Sequence, residues 1–382
     1  MCDEETKTIL LSPGPVYVDQ SRWHGLETLH HRSAAFRSLV LETEKTIQGL
    51  LGTQSPVYLV TSSGTGVMEA ALANVSRPGS RVLVVSGGKF GDRWEEISRI
   101  LGCDTDVLCV PPDEEFDVGK IAKIAEKTRP DIICCTHVES STGALLPLEE
   151  LSGELREPRP LIVVDAIASC GAEELEMDAW HLDVIVGASQ KAIGAPPGLG
   201  IISVGERAME LMRRCERPLY YFSLARYEEG REKGDTPFTP AVQIAQMVHD
   251  SLTRLAEIGW DTMRERHRRA AQALYHAAPS LSLGFLAAEP SSAVQAFTLP
   301  ERCWDTGLVE ELAEQERIIV ADGQGLYKGR IIRTGFPGLY SGDTLGRFVV
   351  GVATALKNRG CVVDAKAAEE AKGALPLHSE IF

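Results

Sequence analysis

Short, continuous apolar runs recur along the chain and constrain its fold more than any other feature. They are Val57-Tyr58-Leu59-Val60, Val82-Leu83-Val84-Val85, Ile132-Ile133-Cys134-Cys135, Leu161-Ile162-Val163-Val164, Val184-Ile185-Val186 and Ile201-Ile202-Ser203-Val204. None alternates apolar with polar, as a strand with one wet face would. Such runs suit strands covered on both faces by helices, which means a mainly parallel sheet and an α/β protein. Ahead of the first run, Phe36, Leu39, Val40, Ile47, Leu50 and Leu51 recur at helical spacing up to Gly52, a helix stop. Earlier still, Pro13-Gly14-Pro15 marks residues 1–20 as an extended arm. Past about residue 240 the pattern changes. One long helical stretch runs through Met247, Leu252 and Leu255 to Arg269, strands follow at Val294–Phe297 and Ile318–Val320, and a helix closes near Leu345–Leu356. The organisation predicted is a large domain over 21–245 and a smaller C-terminal α+β domain over 246–382.

Composition narrows the class of partner. The net charge of −15 comes from 54 acidic against 39 basic residues, with no long basic run. That balance argues against a nucleic-acid or anionic-membrane surface. The 9 cysteines show no C-x-x-C pair and no metal-ligand spacing, and several sit within apolar runs as small hydrophobes. A reducing cytoplasm fits best. Asp3, Glu4 and Glu5 precede only a short apolar stretch, so neither a signal peptide nor a spanning helix is expected.

In doubly wound sheets, ligands collect where the strands end at their carboxyl side, so the residues after each run are the candidates for function. Lys191 lies between the Val184–Val186 run and a rigid Pro196-Pro197-Gly198 turn. A lysine held out of water there loses solvation of its ammonium form and becomes a better nucleophile toward a carbonyl. Asp165 ends another run and can pair with a protonated ring nitrogen, or simply cap a helix. Thr61-Ser62-Ser63-Gly64-Thr65-Gly66 leads into a helical stretch, a place where free amides and hydroxyls attract phosphate. Its glycines begin a dinucleotide fingerprint whose third glycine is replaced by Glu69. Thr136-His137-Val138-Glu139-Ser140-Ser141-Thr142-Gly143 supplies hydroxyls, with His137 read as a structural histidine because no nucleophile partner can be picked out. Phe90, in Gly87-Gly88-Lys89-Phe90-Gly91, could stack on an aromatic ring or belong to the core.

The ordered set Ser63-Gly64-Thr65-Gly66, Phe90, Glu139-Ser140-Ser141-Thr142-Gly143, Val164-Asp165, Ser189-Gln190-Lys191 and Pro196-Pro197-Gly198 resembles the class V aminotransferases of the pyridoxal-phosphate (PLP) fold-type I group. Within them it is most similar to the alanine–glyoxylate / serine–pyruvate branch. The resemblance spans Leu11 to Gly335. It implies the fold-type I α/β architecture and PLP as cofactor, with Lys191 as the Schiff-base lysine and Asp165 as partner of the pyridine nitrogen. It implies further that Ser63, Gly64, Thr65 and Gln190 hold the phosphate, that Phe90 stacks on the ring, and that the Ser140 hydroxyl lies near it. Thr239, in Thr236-Pro237-Phe238-Thr239-Pro240, matches a phosphate contact that crosses from a neighbouring subunit, so the resemblance implies a homodimer with shared sites. Thr236 stands where some relatives have a tyrosine. Arg333 matches the arginine that grips the substrate carboxylate. Small residues such as Gly14 in the arm suggest a confined substrate pocket.

The activity implied is ping-pong transamination between a small amino acid, such as alanine or serine, and glyoxylate or pyruvate. Lys191 would move the Cα proton as base and then acid. The rivals differ at single positions. A cysteine desulfurase resembles a pattern with histidine directly before the lysine, where this chain has Gln190. A 2-aminoethylphosphonate aminotransferase shares the serine-glycine turn and the Ser-Thr-Gly segment, but Ser189-Gln190-Lys191 favours the alanine–glyoxylate branch. A nicotinamide dehydrogenase fails on the incomplete glycine fingerprint. A binding module with a degenerate site fits least, since lysine and aspartate are both in place.

Overall fold

The computed structural model describes residues 8–18, 20–215, 217–364, 366–376 and 381. Cys2 and the acidic Asp3, Glu4 and Glu5 lie outside the described residues. Each apolar run forms a strand of one seven-stranded sheet: β1 (Val57–Thr61), β2 (Arg81–Ser86), β4 (Ile132–Thr136), β5 (Leu161–Asp165), β6 (Val184–Ala188) and β7 (Leu199–Val204). The remaining strand, β3 (Asp104–Cys109), was not expected. It pairs only with β2 at the sheet edge, so Asp104 and Asp106 face water on either side of the buried Thr105 and no apolar run announces it. Across the sheet the order is β1, β7, β6, β5, β4, β2, β3. All neighbours are parallel except at β7, which runs antiparallel to both β1 and β6.

Alternate residues of each strand enter different cores, which is why the runs are continuous. Leu59, Leu83, Ile133, Ile162 and Ile185 pack on one face with α1 (Ala34–Leu51). Val60, Val84, Cys134, Val163 and Val186 pack on the other with α2 (Gly64–Val75). Helix α1 ends where expected, with Gly52 left-handed at φ 59° and its amide donating to Gln48 O.

The expected long helix is in fact two, α4 (Val242–Ile258) and α5 (Trp260–Ala277), with α3 (Lys89–Ile100) preceding them in the chain. Gly259 at φ 94° parts them; a backbone in that region cannot continue an α-helix. Val248 and Leu252 of α4 join the core beneath the large sheet, whereas Leu255 and Met263 join a second core. That second core lies against an antiparallel sheet of β8 (Gly284–Phe285), β9 (Val294–Thr298), β11 (Ile331–Gly335) and β10 (Ala321–Asp322), in that order, and α6 (Gly342–Asn358).

The N-terminal arm ties the two sheets together. Ile9–Leu10 pairs in parallel with Ile318–Ile319, so the latter strand is completed by the arm. Gly335 N, at the end of β11, donates to Leu11 O at 2.9 Å, and Val16 N donates to Gln190 O at 3.1 Å. The arm therefore carries Pro13-Gly14-Pro15 between β11 and Lys191.

Candidate active site

Two helices start at the carboxyl edge of the sheet. At α2, Ser63 is the N-cap: its Oγ accepts from Gly66 N at 3.3 Å, and Ser62 N donates to Gly198 O at 3.1 Å. The turn thus lies against the Pro196-Pro197-Gly198 segment. A Cβ on Gly64 would fall 2.6 Å from Ile167 Cδ1, so the turn lies close against the loop that follows Asp165 and a larger residue there would push the Ile167 side chain aside.

At α3 the N-cap is Gly88, which has no side chain to satisfy the first amides. Glu139 does so from another strand end. Its Oε2 accepts from Phe90 N and Gly91 N, each at 3.0 Å, and its Oε1 accepts from Ser141 N at 3.0 Å and Ser141 Oγ at 2.6 Å. The Ser141 hydroxyl in turn accepts from Lys89 N at 3.0 Å. A carboxylate at a helix N-terminus is favoured by the orphan N–H groups and the dipole together.

Asp165 is 2% exposed and accepts from Ile167 N at 2.8 Å. Burial pushes its carboxyl up to about 7, against the pull of the Ile167 amide and of Lys191 and Arg93. A cationic N–H beside it would hold it ionised. Lys191 leaves β6 on a loop fixed by Ser189 Oγ to Pro196 O and by Ser251 Oγ to Ile193 O. Desolvation lowers its ammonium to about 8; Arg333 and Arg93 push the same way while Asp165 opposes. The residue keeps some exposed surface, but the amine end is what burial acts on. Its Nζ donates to Pro13 O and stands 5.9 Å from the centre of the Phe336 ring. Gly14, at φ 107°, lies against it: a Cβ there would come within 2.7 Å of Lys191 Cδ.

Arg333, on β11, is 6% exposed. Nη1 donates to Ser140 O at 2.6 Å, while Nε and Nη2 reach Asp322 O at 2.9 and 2.7 Å. A guanidinium has five N–H donors, so two remain for an anion. Burial lowers its pKa.

The structure therefore brings Lys191, Asp165, Arg333 and Gly14 together, with Gln190 adjoining and the Ser63-Gly64-Thr65 turn beside the same loop. Phe90 is half-buried on α3. Ser140 enters through its carbonyl, where a hydroxyl role had been expected. Thr239 is exposed, on a segment held to its own chain: Ala241 N donates to Thr61 Oγ1 at 2.9 Å, and Phe238 stacks on Tyr221 at 5.0 Å. Thr236 is buried, and its hydroxyl donates to Phe238 O at 2.9 Å. His137 is buried without a partner for Nδ1 among the described residues, and burial lowers it to about 3, so it stays neutral. Sequence reasoning missed Arg93, which is three residues beyond Phe90 and hence on the same helix face, a spacing that could have found it. It also missed the work of Glu139, Pro13 O and Asp322 O; for the two carbonyls no sequence signal exists.

Parallel strands that lead to a desolvated lysine and a buried carboxylic acid, met by a half-engaged arginine fork from the antiparallel sheet, gather three ionisable groups at one edge of an α/β fold. The class-V aminotransferase family model matches residues 16–326, and the chain belongs to that family. Among curated proteins it is 33% identical to the "soluble hydrogenase 42 kDa subunit" of Anabaena cylindrica, covering 88% of this chain and 90% of that one. It is 27% identical to the alanine–glyoxylate aminotransferase of Rattus norvegicus, over 86% of this chain and 83% of that one. Among solved structures, the ureidoglycine–glyoxylate aminotransferase of Bacillus subtilis superposes with a TM-score of 0.89 at 26% identity, over 98% of this chain and 99% of that one. None of the described helices is long and apolar enough to cross a membrane.

Proposed function

We propose that this aminotransferase uses pyridoxal 5'-phosphate and moves an amino group from a small amino acid to glyoxylate or pyruvate by ping-pong turnover. The observation that carries this is the desolvated Lys191 amine set among Asp165, Gly14 and Arg333. The residues fit the cofactor at an otherwise unexplained atom. Gln190 Oε1 is buried with no partner among the described residues, and a rotation of the amide presents a donor at the same place. When bound, PLP would supply an electrophilic carbon for the lysine and a ring that accepts electrons from the substrate Cα.

The roles follow from position. Lys191, with its amine near neutrality, forms the covalent link, and once freed takes the substrate Cα proton and returns it. Asp165 holds the ring nitrogen protonated. Ser63, Gly64, Thr65 and Gln190 receive the phosphate at the start of α2, Phe90 covers the ring, and Ser140 holds Arg333. Arg333 offers its two remaining N–H groups to the substrate carboxylate. Gly14 leaves room beside Lys191. Thr239, exposed beside the phosphate turn, is available to a second subunit, so the working form is a homodimer, acting in a reducing cytoplasm. Glyoxylate appears in the names of both aminotransferase relatives given above, while their donors differ, which favours it as acceptor.

Purified protein supplied with PLP should show a visible band of lysine-linked cofactor that Lys191→Ala lacks. Alanine, serine and 2-aminoethylphosphonate, added singly, are then compared for bleaching of that band, and glyoxylate and pyruvate for restoring it. A wild type that stays colourless with PLP overturns the reading; bleaching by the phosphonate alone moves the chain to the phosphonate branch. Sulfide release from cysteine would mark a desulfurase.

A further inference from the structure

The phosphate turn has a cation bonded to it that the roles above leave unused. Arg93 Nη1 donates to Thr65 Oγ1 at 2.9 Å, and its guanidinium carbon lies 4.6 Å from the centre of the Phe90 ring. One contact fixes the fork to the turn where α2 begins; the other lays it on an aromatic face, where a guanidinium is attracted by the ring's electrons. Phe90 and Arg93 lie one turn apart on α3, whose start is anchored by Glu139, so this arm of the site is rigid. Arg93 is half-buried, and one of its five donors is used on Thr65.

The other groups near the turn cannot neutralise a phosphate as well. The Ser63 hydroxyl, whose oxygen accepts from Gly66 N, has one O–H to donate to a phosphate but carries no charge. The Lys191 ammonium is directed to Pro13 O, and the Arg333 guanidinium is shared between Ser140 O and Asp322 O. The start of α2 offers a fraction of a positive charge, about half a unit. A phosphate dianion in a partly dry pocket needs more than that.

We propose that Arg93 is a further cofactor-binding residue, its guanidinium pairing with the phosphate held at the Ser63-Gly64-Thr65 turn while backing one face of Phe90. The inference rests on the PLP reading and adds to it the source of the phosphate's counter-charge. Arg93 also braces the Phe90 ring, leaving its other face to the cofactor.

The test separates charge pairing from ring packing. Apo protein is titrated with PLP and, separately, with pyridoxal, which lacks the phosphate. Arg93→Gln should weaken PLP by about 10- to 100-fold, the range set by losing a charge-assisted contact, and pyridoxal by less than about twofold. Arg93→Lys, which keeps the charge without the fork, should lose less toward PLP. Inorganic phosphate should compete with PLP at lower concentration in the wild type than in Arg93→Gln. Equal weakening of PLP and pyridoxal would assign Arg93 to packing alone and overturn the proposal, as would no weakening of either. If Arg93→Gln is insoluble, Arg93→Lys decides by the same comparison. A wild type that forms no lysine-linked band with PLP refutes the functional reading itself; a normal wild type with an indifferent Arg93→Gln refutes only this inference.

Discussion

Replacing Glu139 by alanine should cost the protein several kcal/mol of stability and loosen the site at once. Three backbone amides end on this carboxylate, those of Phe90, Gly91 and Ser141, together with the Ser141 hydroxyl. Glu139 is 1% exposed, so in the variant the amides would be left in a dry place. A buried donor without an acceptor costs about 1–3 kcal/mol, which sets a ceiling of about 3–9 kcal/mol for the three. Part of this is returned, because burial raises the Glu139 pKa in spite of its four donors, meaning the ion itself is held at a cost. A net loss of about 3–5 kcal/mol is the expected value, a large share of a typical total stability of about 5–15 kcal/mol. Glutamine keeps one acceptor oxygen but turns an amide N–H toward the other donors, so Glu139→Gln should lose about half as much. Denaturant unfolding of the apo protein, read by tryptophan fluorescence, measures both. If Glu139→Ala unfolds within about 0.5 kcal/mol of the wild type, the amides are satisfied in some other way and the anchoring of α3 is misread.

Four further outcomes are expected. Gly14→Ala forces a side chain onto φ 107° and within 2.7 Å of Lys191 Cδ, so it should cost about 1–3 kcal/mol and slow reaction of Lys191 with pyridoxal; unchanged melting and rate would contradict the contact. The pH dependence of that reaction in apo wild type should have its midpoint near the lowered value of about 8, whereas a midpoint near the ordinary 10.5 would mean an undersolvated amine is absent. Asp165 is raised from 3.8 to about 7, so the folded protein holds a proton that the unfolded chain releases, and stability falls as pH rises between those values. Melting of apo Asp165→Asn should therefore gain on wild type from pH 4 to 7; a pH-independent difference would refute the burial effect. Arg333→Gln should raise KM for amino and keto acids by about 10- to 100-fold, since two charged contacts to a carboxylate are lost, and steady-state kinetics with KM unchanged would remove Arg333 from substrate binding.

Strands buried on both faces are legible because their constraint is local: every residue of Leu161-Ile162-Val163-Val164 must be apolar, whichever helix covers it. The edge strand Asp104–Cys109 escapes for the same reason, as one neighbour and an open face demand no such run. The break at Gly259 was open to sequence in principle, but apolar periodicity continues on both sides of it, and only the backbone conformation shows the turn.

At the site, sequence determined which groups stand at strand ends: Lys191, Asp165, the Ser63-Gly64-Thr65 turn and the Glu139–Gly143 segment. Their residue types and their places after apolar runs are properties of a few neighbouring positions. What only the tertiary structure decided is what each faces. The arm brings Pro13 and Gly14 to Lys191, β10 and the Ser140 segment divide Arg333 between two carbonyls, and Glu139 rather than a local cap opens α3. Those contacts join residues far apart in the chain, several through backbone atoms that every residue shares. The amino-acid alphabet cannot mark a carbonyl oxygen, and desolvation, which sets the lysine near 8 and the aspartate near 7, exists only once the surrounding chain has closed over them.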